Sequence, residues 1–525
     1  MRMGDLMQGR IRPLAKAGIL AVFAFSMLLV SCYYAGGDDD SSGFVAMGPD
    51  HESPIGGLIP AQKPVYRFPD DFLWGVSTSA YQTEGDNFGS DYDVWNRHGH
   101  GSDICGEADR SYEMYETDAD LAAALGVTAY RVGIEWARIE PVRGQYNEAE
   151  IHHYRRVLQA IVDRGMKPVV TLHHFTNPLW VEEQGGWLNV DTVDRFVKYS
   201  ELMAADFGDL VDWWLTINEP VIYTMGAYMV LAYPGGRFND FSRAMQATVN
   251  MIFAHARAYH AIKEADRIDA DGDGKASMIS IAKALYPVSP LHPDNPGDVK
   301  AAQMYDYVFD RLYLRAVVNG MLDVDGDGKY DNANANPPEG YYEELAGTLD
   351  FLGINYYNPL RVIHIPFIYG TIQGVPCFPQ ANLICYPGGR EPYIHGDNDN
   401  EIYPEGILEL IEDYQSEFKI PVMITENGVA TTDGYLRSWF IIEHLKKVHD
   451  AIDAGYNVLG YLYWSLLDNF EWSQGYSMRF GLYTVDYSVF QRVPTEASET
   501  YSEIVHAGGM TQDVLERYAE TPAIH

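Results

Sequence analysis

The run Trp213-Trp214-Leu215-Thr216-Ile217-Asn218-Glu219-Pro220 starts apolar and ends on an amide, a carboxylate and a proline. Residues 213–218 read as a strand with a polar carboxyl end. Outward from it, residues 193–207 and 242–266 carry apolar side chains at helical spacing, so the strand lies between two helices. The same alternation extends in both directions. Further strand segments fall at 72–80, 129–134, 168–173, 278–282, 351–355, 422–426 and 458–465, and residues 148–164 form another helical stretch. Eight strand-then-helix units imply a closed parallel barrel rather than an open doubly wound sheet. The expected fold is therefore α/β, a single (β/α)8 TIM barrel. Residues 323–340 and 377–400 are expected as loop insertions.

Bulk composition agrees with one large globular unit. The chain has 525 residues, 47% hydrophobic and 21% charged, which is ample apolar material for a sizeable core. No compositional break divides residues 64–509, and α/β barrels exceed the usual domain length. There are 74 Asp and Glu against 37 Lys and Arg, a formal net charge of −37. That excess opposes binding to nucleic acid or anionic headgroups, which need basic patches, and it favours solubility.

In a barrel of this kind, reactive groups sit at the carboxyl ends of the strands. Two such ends carry glutamate: Asn218-Glu219-Pro220 after the fourth strand, and Ile424-Thr425-Glu426-Asn427-Gly428 at the seventh. Carboxyl groups facing each other across a barrel mouth suit glycosidic cleavage. One protonates the departing oxygen while the other stabilises or attacks the oxocarbenium-like centre. Either glutamate by itself could simply form an ion pair capping the barrel.

Six motifs in order carry a family resemblance: Phe72-Leu73-Trp74-Gly75, Ala80-Tyr81-Gln82-Thr83-Glu84-Gly85, Tyr130-Arg131, Asn218-Glu219-Pro220, Thr425-Glu426-Asn427-Gly428, and Tyr463-Trp464-Ser465-Leu466-Leu467-Asp468-Asn469-Phe470-Glu471-Trp472. Over residues 66–505 the chain resembles glycoside hydrolase family 1, the β-glucosidase family. The resemblance implies Glu219 as general acid/base, Glu426 as nucleophile, and retention through a covalent glycosyl-enzyme. Retaining geometry sets the carboxyl groups about 5 Å apart. It further implies that Arg131 and Tyr357 support the nucleophile, with Asn355 beside them. Gln82, His174, Asn218 and Glu471 match hydroxyl-binding positions, and Trp464 and Trp472 match the aromatic wall. His173 is expected to pack. Family members acting on 6-phosphosugars usually lack an acid at the position of Glu471, so the expected substrate is a small unphosphorylated carbohydrate. The leading expectation is hydrolysis of terminal β-linked glucose, with galactose and fucose open. The alternative is an inactive sugar- or protein-binding module on the same scaffold, whose signature would be loss of a catalytic glutamate.

Some positions depart from the family's commonest pattern. Phe175-Thr176-Asn177-Pro178, Asn400 and Met478 stand where other residues are frequent. The first two are expected to face the leaving-group side and to alter aglycone preference.

The N-terminus carries an address. Arg10, Arg12 and Lys16 precede the apolar run 17–30, and Leu29-Val30-Ser31-Cys32 resembles a bacterial lipobox. Residues 1–31 are expected to be a lipoprotein signal peptide, with Cys32 lipidated and 32–63 a flexible linker. A plain signal peptide or an anchor helix is the alternative. An anchored adhesin would rest on Cys32 alone. Residues 64–509 are expected as the barrel domain and 510–525 as a C-terminal tail. Tyr33 after Cys32, rather than Asp, resembles sorting to the outer membrane or cell surface. No other membrane attachment and no nucleic-acid partner are expected.

Cys105, Cys377 and Cys385 remain, and export permits a Cys377–Cys385 bridge without requiring it. Two acidic turns, Asp269-Ala270-Asp271-Gly272-Asp273-Gly274-Lys275 and Asp323-Val324-Asp325-Gly326-Asp327-Gly328-Lys329, have the alternation that suits Ca²⁺. Their twelfth positions are Ser280 and Asn334 rather than Glu, so they read as solvated turns sooner than as Ca²⁺ sites. No nucleotide-binding glycine loop or metal-hydrolase motif is present, and the expected chemistry needs no cofactor or metal.

Overall fold

The computed structural model describes residues 63–377, 385 and 393–522. The signal peptide, Cys32 and nearly all of the linker lie outside them. Among the described residues no helix is long and apolar enough to cross a membrane.

Eight strands close a barrel: β1 (Leu73–Ser77), β2 (Ala129–Gly133), β3 (Lys167–Thr171), β4 (Trp213–Asn218), β5 (Met278–Ala284), β6 (Leu352–Asn355), β7 (Val422–Asn427) and β8 (Val458–Trp464). Every pairing around the ring is parallel. The strands are buried on both faces, which is why they read as apolar runs and not as alternating patterns. Leu73, Ala129, Val169, Trp213, Leu215, Met278, Ala282, Phe351, Met423 and Leu462 fill the floor, with every strand or its entry contributing. Outward-facing Trp214, Ile279, Ile354 and Ile424 join the second apolar layer with the surrounding helices.

Helices Glu148–Asp163, Asp191–Phe207 and Phe241–Ala265 fall within two residues of the periodic segments read from sequence. Side chains of Asn147 and Asp240 accept first-turn N–H groups at two of their starts. The first strand is shorter than 72–80, because residues Ala80–Glu84 already turn into a helix.

The stretch beginning at residue 510 is corrected from a tail to part of the domain. Gly509–Met510 pairs antiparallel with Tyr66–Arg67, and Met510 is fully buried. Helix Gln512–Arg517 follows, and the buried Tyr518 hydroxyl bonds Thr500 at 2.8 Å and Glu496 at 2.9 Å. Apolar side chains at Val514 and Tyr518 hold it against the barrel.

Of the first insertion, residues 323–339 lie between the short antiparallel strands Met321–Leu322 and Gly340–Tyr341. The second insertion begins in a three-stranded sheet of Val288–Pro290, Leu360–His364 and Gly374–Cys377, and a disulfide joins Cys377 to Cys385. In the first acidic turn Asp269 accepts the Gly272, Asp273 and Gly274 N–H groups. Asp212, just before β4, joins the carboxylates of Asp269 and Asp271, a neighbour that the repeat does not reveal. Ser280, its twelfth position, is buried inside β5 and bonds Phe351. That removes it from any role as a loop ligand.

Candidate active site

The functional side chains are set by small irregularities where the strands leave the barrel. Register shifts interrupt the pairing of β4 with β5 after Leu215, of β6 with β7 at Asn355, and of β7 with β8 around Glu426. Such shifts re-aim side chains at the rim of a sheet. Glu219 itself has φ 43° and ψ 56°, a left-handed conformation that is unfavourable outside glycine, between β4 and helix Pro220–Met229. Its N–H is held by the Ala282 carbonyl at 2.7 Å. Gly428 is required by close approach: a Cβ there would lie 1.8 Å from the Trp464 carbonyl oxygen.

Arg131, fully buried on β2, organises the centre. Nη1 donates to Glu426 Oε1 at 2.6 Å and to the Thr425 carbonyl at 3.1 Å. Nη2 donates to Asn218 Oδ1 at 2.8 Å, and Nε to Thr171 Oγ1 at 2.9 Å. A buried guanidinium needs its donors occupied, and here three strands supply the acceptors. Tyr357 donates to the other Glu426 oxygen at 2.7 Å. Glu426 therefore accepts one hydrogen bond on each oxygen.

Glu219 has a poorer set of partners. Asn355 Nδ2 donates to its Oε1 at 2.9 Å and to Asn218 Oδ1 at 3.1 Å, while Asn355 Oδ1 accepts from Thr425 at 2.7 Å. Burial, and next the Glu426 carboxylate, push the Glu219 carboxyl up to about 8. At neutral pH it carries a proton.

Asn218 has its amide orientation settled by these contacts. Its oxygen takes Arg131 and Asn355, so Nδ2 points to His174 Nε2 at 3.2 Å. Burial, followed by Arg131 and His173, holds His174 well below the usual imidazole range, so the ring is neutral. His174 lies nearly parallel to Trp464 and to Trp472, at 22° and 13° with centroids 6.0 and 6.1 Å away. Gln82 Nε2 reaches Asn469, the Phe470 carbonyl and Glu471 Oε2, at 3.0, 3.0 and 3.3 Å, and its oxygen accepts from Ser79. Glu471 is also pushed up to about 8, by burial first and then by Glu426 and Glu219.

Arg131, Asn218, Glu219, Asn355, Tyr357 and Glu426 thus form one hydrogen-bonded unit. Gln82 and Glu471 form a second, and His174, Trp464 and Trp472 an aromatic group touching the first through Asn218. His173 packs edge-on against Trp187 and Tyr223 and bonds Asn177, outside these groups. Thr176 and Asn177 do not face a leaving group. They are buried, bonded to Glu135 and to Asp91 and Tyr223. Phe175 alone of that run meets Trp472 and Tyr233. Sequence reasoning missed Thr171, Asn469 and Lys283. Asn469 lay in a motif already noted, and Lys283 could have been found as a lone cation in an apolar strand.

Residues 65–510 match the sequence model described as Glycosyl hydrolase family 1. A β-galactosidase of Pyrococcus woesei is 34% identical over 520 residues, covering 86% of this chain and 99% of the relative. A β-glycosidase from Pyrococcus horikoshii superposes with a TM-score of 0.75 at 32% identity, over 88% of this chain and all of the other. A β-glucosidase from Thermotoga maritima, solved in complex with glucoimidazole, gives 0.73 at 28% identity, over 85% and 100% of the two chains.

Proposed function

The chain belongs to glycosyl hydrolase family 1 and is a glycoside hydrolase, and from that premise we propose a retaining β-glucosidase acting on terminal, non-reducing β-D-glucosyl residues. Glu219 is the acid/base and Glu426 the nucleophile. In the first step Glu426 attacks the anomeric carbon, the bond to the leaving oxygen breaks, and Glu219 gives that oxygen its proton. In the second, Glu219 takes a proton from water, the resulting hydroxide attacks the same carbon, and the bond to Glu426 breaks. Two inversions give net retention.

One observation carries this reading: two neighbouring carboxyls have opposite surroundings. Glu426 accepts from Arg131 and Tyr357, whereas Glu219 accepts from Asn355 alone and keeps its proton to about 8. A carboxyl that keeps its proton suits the acid, and a carboxyl held from both sides by a guanidinium and a phenol suits the nucleophile. Gln82, His174, Asn218 and Glu471 supply hydroxyl partners, and Trp464 and Trp472 the apolar wall. Galactose is the second reading, favoured by the β-galactosidase relative.

Initial rates on nitrophenyl β-glucoside, β-galactoside, β-fucoside and 6-phospho-β-glucoside test the glycone, with Glu426→Gln as control. Glucoside first and phosphoglucoside negligible is the expected order. Galactoside first would move the assignment, and no turnover by folded protein would favour a binding module.

Lipid anchoring at Cys32 is proposed from the lipobox-like Leu29-Val30-Ser31-Cys32. Cys32→Ser should lose labelled palmitate and leave the membrane fraction. Retention of both would sink the anchor.

A further inference from the structure

Barrel strand β5 carries a cation within an otherwise uncharged run, Met278-Ile279-Ser280-Ile281-Ala282-Lys283-Ala284. Lys283 is 1% exposed. Its Nζ donates to the Ala284 carbonyl at 2.9 Å and to the Phe309 carbonyl. Phe309 belongs to Asp306–Arg311, a π-helical turn between helices Pro296–Tyr305 and Leu312–Asn319. Turns of this kind recur at functional sites. The next residue, Asp310, is fully buried, with a carboxylate oxygen 4.0 Å from Nζ, and it faces the Tyr286 backbone N–H.

The strand pairing ties this pair to the acid/base. Ala282, immediately before Lys283, accepts the Glu219 N–H. Ala284, immediately after, pairs with Asn355, whose amide donates to Glu219. Lys283 is therefore flanked in sequence by the two residues through which β5 meets the Glu219 support.

We propose that Lys283, held by Asp310 and the Phe309 carbonyl, is a positioning residue whose positive charge sets the proton affinity of Glu219. The inference rests on Glu219 being the acid/base. That group has to be protonated in the first step and ionised in the second, so neither form can be too strongly favoured. Burial, Glu426 and Glu471 oppose its ionisation; Asn355, Lys283 and Arg131 favour it. Arg131 is committed to Glu426 and Asn218, which leaves Lys283 as the other cation acting on Glu219. The remaining neighbours, Tyr233, Tyr286, Tyr357 and His174, are neutral. Around Lys283 itself stand Asp310, Glu219 and Asp306; around Asp310, Lys283, Asp306 and Arg311. Burial lowers Lys283 and raises Asp310, so the pair exists on a narrow balance. Carbonyl acceptors at Ala284 and Phe309 tip it toward the ammonium, which has three protons to donate.

The test is the basic limb of the kcat/KM–pH profile, measured with the methyl β-glycoside of the sugar ranked first above, whose poor leaving group needs the acid. Lys283→Met should move that limb upward by roughly half to one pH unit. Lys283→Arg, which keeps the charge, should leave it near its original place. If Lys283→Met does not fold, Lys283→Gln, neutral and still able to donate to the Phe309 carbonyl, provides the same readout. An unmoved limb in folded Lys283→Met, or in Lys283→Gln where it replaces that variant, overturns the proposal. An equal shift in Lys283→Arg also overturns it, since packing would then be the cause. Glu219→Gln separates the two readings. Loss of the basic limb assigns it to Glu219, whereas a limb that persists refutes the acid/base assignment itself.

Discussion

The floor and the mouth of the barrel are built from the same eight strands and obey opposite rules. At the floor, Leu73, Val169, Leu215, Met423 and their neighbours exclude polar atoms, and packing alone fixes their positions. A few residues further along, β2, β4, β6 and β7 present Arg131, Asn218, Asn355 and Glu426, each buried and each held by named hydrogen bonds. Strand β4 and the residue that follows it show the contrast over a few positions. Leu215 is inert filling, and four residues later Glu219 is left-handed and holds a proton at neutral pH. The floor provides rigidity, and the register shifts above it convert that rigidity into aim.

Substitutions at the two ends should therefore fail differently. Glu426→Gln should lower kcat by about 10^4-fold or more with little change in melting temperature. Substantial turnover would remove Glu426 from the nucleophile role. Glu219→Ala should lower kcat/KM on alkyl glycosides by about 10^2- to 10^4-fold while sparing the first step on nitrophenyl substrates. Added azide should then restore turnover and give a β-glycosyl azide; an α product would contradict retention. At the floor, Leu215→Ala should cost about 2–5 kcal/mol in denaturant unfolding and leave KM nearly unchanged. A large KM effect would show that floor and mouth are not separable.

The smallest effect tests the mouth as a source of instability. Folded Glu219 and Glu471 hold protons to about 8, while unfolded carboxyls release them near about 4.3. Between those values the folded state binds more protons, so stability falls as pH rises. Glu219→Gln cannot ionise in either state. Its melting temperature should exceed that of the parent more at pH 8 than at pH 5, and a difference independent of pH would contradict the buried, protonated carboxyl.

The strands at 213–218 and 422–426 were legible because two-sided burial leaves few polar positions before the carboxyl end of a barrel strand. Glu219, Glu426 and the Trp464–Trp472 run were legible because they sit at strand ends in recognisable motifs. The C-terminal strand and helix at 509–517 were not. A two-residue strand has no period, and its partner at Tyr66–Arg67 is more than 400 residues away in the chain. Thr176 and Asn177 were misread as facing outward for a related reason, since adjacency to a motif does not say which way a side chain turns.

By itself the sequence determined the number of strand–helix units, the order in which they occur and the identity of the residues at the strand ends. These are local properties, recorded in periodicity and in short motifs. Only the tertiary structure decided which carboxyl keeps its proton, that Asp310 stands beside Lys283, and that Asp212 joins the first acidic turn. Proton affinity and charge pairing depend on distance and desolvation in space, and closing the barrel brings together groups that the chain keeps far apart.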